Sequence, residues 1–304
     1  MPMKPCLFSV SYSGSWGQAS LPLSEFIARA GRLGFVGVML GGKRPHLSPL
    51  DVTPQRLEEL QSALRAARVT CDVVAGYTNL ASGPAAEVPL VEFQIAYVES
   101  LSRLAAQLGA SVVRIFTAYD EADRDPPTLW RRVAAAVREM CDRAAQHGIT
   151  IAIQNHHDLA LDTDALLDLL AEIDRPNCKL AFDAWSPALR GEDLYQAARK
   201  AAPHMALTTN ADYIRVPRYR YRPELVNYER LSPDGVRAVR FGTGFIDYGA
   251  FFRGLTEGGY LGLAAYEICS PIRGGGTIEN LDGCCGAYLQ WIREQGYIAA
   301  ASGR

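Results

Sequence analysis

The sequence of 304 residues has no CxxC pair, no GxGxxG motif after its first apolar run, no long apolar stretch and no marked excess of charge. Each absence excludes a class. Seven cysteines, an odd number without CxxC spacing, do not form a disulfide framework; they read as small buried hydrophobes in a reducing compartment. Cys284 and Cys285 are adjacent, which allows either a reactive pair or helix packing. A net charge of -2, from 31 basic and 33 acidic residues, offers no basic field for nucleic acid and no acidic tail. No stretch approaches the roughly 20 apolar residues that cross a bilayer, and the MPMKPCLFSV start has no long apolar run. A cytoplasmic protein without membrane or nucleic-acid partners is expected. The missing glycine motif argues against a dinucleotide fold and any nucleotide cofactor.

What is present is organised around Ile149–Trp185. Two apolar β-type runs, ITIAIQNHHD and KLAFDAW, each end in polar residues, and LDTDALLDLLAEID between them has helical apolar spacing. The same alternation runs through the whole chain. Strands are expected at Cys6–Ser11, Phe35–Leu40, Thr70–Ala75, Ser111–Thr117, His204–Thr209 and Leu261–Ile268, besides the central two. Helices are expected near Leu23–Leu33, Pro54–Arg68, Leu90–Leu108, Pro127–Gln146, Glu192–Ala202, Tyr248–Glu257 and Ile278–Gln295. Thr53 and Pro54 supply an N-cap and first position, and Gly34 and Gly109 supply stops. Eight β/α units without a linker or change of composition predict an α/β fold: one (β/α)8 TIM barrel over residues 1–304. A long Arg/Tyr-rich loop is expected over 212–246, after strand seven.

In such a barrel the strand ends converge on one mouth. They would bring together Trp16, Lys43, Arg44, His46, Tyr77, Arg114, Gln154, His156, Asp183, Trp185, Thr209, Glu267 and Arg273. Asp183 and Glu267 are the only acids directly at the ends of apolar strands. Burying them there calls for a divalent cation or for the charges of Lys43, Arg114 and Arg273. His46, in GGKRPH, is either a base or a plain loop histidine. His157 is expected to face away in a structural role. Trp16, Trp185 and Tyr77 would wall a sugar ring or simply fill core. In the long loop, Arg215, Arg218, Arg220 and Arg222 alternate with tyrosines. That pattern suits a lid over an anionic or glycosidic substrate, or a dimer surface.

The pieces IAIQNHHD, KLAFDAWSPALRGEDL, ALTTNADY, GTGFIDYGAFFRGLTEGGYLG and AAYEICSP resemble the sugar phosphate isomerase/epimerase family, xylose isomerase-like TIM barrels that include family 2 AP endonucleases. The resemblance covers nearly the whole chain. It implies one Mn²⁺ or Mg²⁺ held by four strand-end residues, usually Glu, Asp, His and Glu, which fall here on Gln154, Asp183, Thr209 and Glu267. Gln154 and Thr209 depart from that pattern and imply weaker metal binding. It also implies proton transfer next to a carbonyl of a sugar, keto-sugar or glycoside. With Gln154 in place of one base, Glu267 would be paired with His156 or His46. The reaction would then be one-sided: isomerisation, epimerisation from one face, or a lyase step. Some relatives cleave C-glycosides with a small second subunit, so a small partner or a homo-oligomer is expected. Two rivals remain open: a metal-free biosynthetic enzyme, and a barrel that only binds a sugar-like ligand or a partner.

Overall fold

A computed structural model describes residues 2–81, 87–119 and 125–299. The chain begins β1 (Lys4–Phe8), α1 (Leu23–Leu33), β2 (Gly37–Gly41), α2 (Pro54–Ala67), β3 (Thr70–Ala75), α3 (Leu90–Gln107) and β4 (Val112–Ile115). It continues with α4 (Pro126–Ala145), β5 (Thr150–Gln154), α5 (Thr163–Ile173), β6 (Cys178–Ala181), a short α6 (Trp185–Arg190) and α7 (Leu194–Ala201). After β7 (Met205–Asn210) come β8 (Asp212–Arg222) and β9 (Asn227–Val239), then α8 (Tyr248–Glu257), β10 (Leu263–Tyr266) and α9 (Ile278–Glu294). Eight parallel strands close in the order β1-β10-β7-β6-β5-β4-β3-β2. The expected TIM barrel is the fold.

Local chemistry starts and stops the helices where the sequence indicates. Thr53 accepts from the Arg56 amide at 3.2 Å beside Pro54, and Gly34 ends α1 with φ 98. Helices and strands bury their large apolar residues against one another in the outer layer. The barrel lumen has its own packed cluster, among it Cys6, Phe8, Met39, Val73, Val112, Ala152, Ala181, Leu207 and Ala265. Successive strand residues face opposite sides. The residues two positions after these lumen groups therefore face the lumen again, one layer nearer the C-terminal mouth. They include Arg114, Gln154, Asp183, Thr209 and Glu267.

The segment after β7 departs from expectation. In place of a loop over 212–246, β8 and β9 form an antiparallel hairpin, in register from Asp212↔Val239 to Arg222↔Asn227. The Arg/Tyr alternation is itself a period of two, but both faces are polar, so hydrophobic patterning does not reveal it. The register shifts between Val216 and Arg218, where Pro217 cannot donate a ladder bond. Asp212 pins the base: Oδ2 accepts from the Gly242 and Gly244 amides at 2.9 and 2.8 Å, and Oδ1 from the Tyr213 amide at 2.9 Å. A Cβ at Gly244 would collide with Asp212 Oδ1 and the Tyr213 carbonyl. Gly244→Ala is therefore expected to cost about 1–3 kcal/mol, measured by urea unfolding; an unchanged midpoint would show that the hairpin base adjusts freely.

Candidate active site

A cavity of about 420 Å³ opens at the C-terminal mouth of the barrel. It is lined by Trp16, Lys43, Tyr77, Arg114, Gln154, His156, His157 and Glu267, with Phe8, Phe116, Tyr119 and Cys269 among the walls. Much of the set expected at the strand ends thus meets in one place.

Beneath the cavity is a hydrogen-bonded knot. Gln154 donates from Nε2 to Asp183 Oδ2 at 2.9 Å and to Thr209 Oγ1 at 3.0 Å. Asp183 Oδ1 accepts from the Trp185 and Ser186 amides at 3.0 and 3.2 Å, so the carboxylate also holds the start of α6. Asn155 grips the Asp183 backbone from both sides, donating to its carbonyl at 2.9 Å and accepting from its amide at 2.8 Å. Burial pushes the Asp183 carboxyl up to about 6, against the hydrogen bonds that favour its charge. Asp183 and Thr209 are buried under Gln154 and do not line the cavity.

Glu267 follows β10 directly and reaches the cavity. Burial pushes its carboxyl up to about 7; Asp183 adds to the rise and Arg114 opposes it. His156 and His157 form the opposite chemistry. Burial and the Arg114 charge push the His156 imidazole down to about 4, so the ring is neutral near pH 7. Its Nδ1 accepts from the His157 amide at 2.8 Å. The ring hydrogen must therefore sit on Nε2, which makes His156 a hydrogen-bond donor to a ligand and a poor base. Trp185 packs behind it with ring centroids 5.2 Å apart.

Several expected site residues lie elsewhere. His46 is buried, with Nε2 3.3 Å from the Leu21 carbonyl and its ring against Phe26; the loop after β2 turns it into the core. Arg44 is exposed and held in a two-pronged ion pair by Asp51 at 2.6 and 2.7 Å. Arg215 lies 4.5 Å over the Phe245 ring, and Arg218 donates to the Pro233 carbonyl at 3.3 Å, both on the hairpin. Arg273 is exposed outside the cavity lining. Trp185 backs the site without lining it. His157, expected to face away, instead lines the cavity and stacks on Tyr119 at 3.9 Å, which its φ of 70 makes possible. Cys284 and Cys285 are both buried. Asn155, Phe116 and Cys269 are site residues that the sequence does not single out; Asn155 alone has a visible signal, as a polar residue on the outer side of a buried strand end.

The donor set suits a divalent ion poorly. The Gln154 amide turns its NH₂, not its oxygen, toward Asp183 and Thr209, while Oε1 is buried with no hydrogen-bond partner among the described residues. One Asp183 oxygen is committed to backbone amides. Among the described residues, no group of three or more His, Cys, Asp and Glu side chains is placed to hold a metal. The amide hydrogens instead satisfy the carboxylate as a cation would.

A family model described as "Xylose isomerase-like TIM barrel" matches residues 27–292. Solved structures resemble the chain over nearly all of its length. A probable 3-DHS dehydratase from Bacillus anthracis is 18% identical, covering 96% of this chain and 99% of its own, with a TM-score of 0.72. A D-allulose 3-epimerase from Methylomonas sp. is 17% identical, with coverage of 97% and 98% and a TM-score of 0.73. A 3-keto-D-glucoside 4-epimerase from E. coli is 18% identical, with coverage of 96% and 99% and a TM-score of 0.71. No curated protein matches the sequence.

Proposed function

The chain belongs to the xylose isomerase-like TIM barrel family, and from that premise we propose that its cavity moves a proton next to a carbonyl of a sugar-like substrate. The observation that carries this reading is the pairing of Glu267, whose carboxyl titrates at about 7, with neutral His156 in one cavity. Glu267 takes the proton from the carbon next to the carbonyl. The electron pair moves onto the carbonyl oxygen, and the His156 Nε2 hydrogen bonds to that oxygen as charge develops. In an isomerisation Glu267 then returns the proton to the former carbonyl carbon, while the hydroxyl on the deprotonated carbon gives up its hydrogen to become the new carbonyl and the old carbonyl oxygen gains one. In an elimination the electron pair re-forms the carbonyl as a hydroxyl on the β-carbon leaves with the Glu267 proton. Glu267 is the only carboxylate among the described lining residues, which favours this one-base isomerisation or elimination over a two-base epimerisation. The named activities of the structural neighbours, two epimerases and a probable dehydratase, are compatible with such chemistry.

The knot of Gln154, Asp183 and Thr209 supports a reaction carried by Glu267 and His156 without a resident metal. The test is deuterium exchange from D₂O into a panel of ketoses and 3-keto-glycosides, with chelator-treated protein and with added Mn²⁺. Exchange that survives chelation supports the reading. Exchange that requires Mn²⁺ and is lost in Asp183→Ala would restore a metal centre. No exchange under either condition would leave a ligand-binding barrel.

A further inference from the structure

Among the described residues, the cavity lining holds more positive charge than proton transfer uses. Lys43 and Arg114 both line it, against Glu267 as the one carboxylate among the described lining residues. Arg114 is 1% exposed, among the deepest cations a fold tolerates. Its Nη1 donates to the Gly76 carbonyl at 2.8 Å, but Nε is buried with no hydrogen-bond partner among the described residues. Ring faces supply further contacts, 4.0 Å from Phe116 and 5.1 Å from Tyr77. Lys43 Nζ lies 3.8 Å from the centre of the same Tyr77 ring. Aromatic faces favour a cation without neutralising it. The two charges also repel: burial and Arg114 both push the Lys43 ammonium down. A neutral sugar in this cavity would leave that repulsion in place, whereas an anionic oxygen group beside Tyr77 would relieve it with charge-assisted hydrogen bonds.

We propose that the substrate carries an anionic oxygen group, a carboxylate or a phosphate, seated by Lys43 and Arg114 beside Tyr77. The seat would place the reacting carbonyl toward Glu267 and His156, and only that orientation rests on the proton-transfer reading. Hexose-sized compounds suit a cavity of about 420 Å³.

Equilibrium binding to the full chain tests this without any need for turnover. The probes are D-fructose, 5-keto-D-gluconate and D-fructose 6-phosphate, titrated calorimetrically into wild type, Lys43→Met and Glu267→Gln. At least one anionic probe is expected to bind roughly 10- to 100-fold more tightly than fructose, and the two anions separate a carboxylate seat from a phosphate seat. Lys43 is exposed, so Lys43→Met leaves the fold intact and is expected to erase most of that preference. Glu267→Gln is expected to keep it. Fructose binding as tightly as both anions, an unchanged preference in Lys43→Met, or no binding of either anion at about 10 mM would each overturn the proposal. Anion binding without deuterium exchange would sink only the proton-transfer reading; exchange on neutral ketoses without anion preference would sink only the seat.

Discussion

Glu267→Gln is expected to reduce substrate turnover about 100- to 10,000-fold, because the amide keeps the shape of the side chain and loses the base. In the wild type, activity should rise with pH through about 7, as the carboxyl gives up its proton. That limb should vanish from whatever residual activity the variant retains. The same substitution has an opposite effect on stability. The folded-state carboxyl titrates at about 7, above its ordinary 4.5, because burial disfavours the charge. Its contribution to stability is therefore fully present below about 4.5 and is lost as the pH rises through 7. The substituted amide is uncharged at any pH, so the variant should melt above the wild type at about pH 8 and match it more closely at about pH 4.5. Thermal melts at both values, beside deuterium exchange, check the two effects together. Full activity in the variant would remove Glu267 from the chemistry; a lower melting temperature at the alkaline value would mean that its charge is compensated by the site.

Asp183→Ala is expected to cost about 3–5 kcal/mol in urea unfolding. It strips the partner from the Trp185 and Ser186 amides and from Gln154 Nε2, all in a buried setting. The start of α6 would loosen, and Trp185 would cease to support the His156 ring. Asp183→Asn should cost far less, about 1 kcal/mol. An asparagine oxygen can still accept from the two amides, and the unpartnered Gln154 Oε1 can turn to accept from the new NH₂. Equal losses in both variants would show that the negative charge itself, rather than the hydrogen-bond pattern, holds the knot. Because burial raises Asp183 from 3.8 to about 6, its own contribution is also lost as the pH rises through 6. That slope should disappear in Asp183→Asn.

The polar layer that faces the lumen is legible residue by residue. Ala152 and Gln154, Ala181 and Asp183, Leu207 and Thr209, and Ala265 and Glu267 are each two apart, so a lumen-facing apolar residue predicts a lumen-facing polar one above it. Arg114 follows Val112 by the same rule. His46 lies in the loop beyond the end of β2 at Gly41, where strand alternation gives no guide, and it packs into core. The hairpin escapes such a reading because alternating arginine and tyrosine give a period of two without a buried face.

By itself the sequence determined the eight β/α units, the helix stops and the strand-end layer of Arg114, Gln154, Asp183, Thr209 and Glu267, because these follow from periods of two and 3.6 residues and from local capping. The tertiary structure alone decided what those side chains do. Gln154 donates from its NH₂ group to partners 29 and 55 positions away. Burial lifts the Glu267 carboxyl to about 7. His156 became a neutral donor through the amide beside it, its burial and the charge of Arg114. Hydrogen-bond direction and desolvation depend on what the barrel closes around each group, and no local pattern in the chain records that.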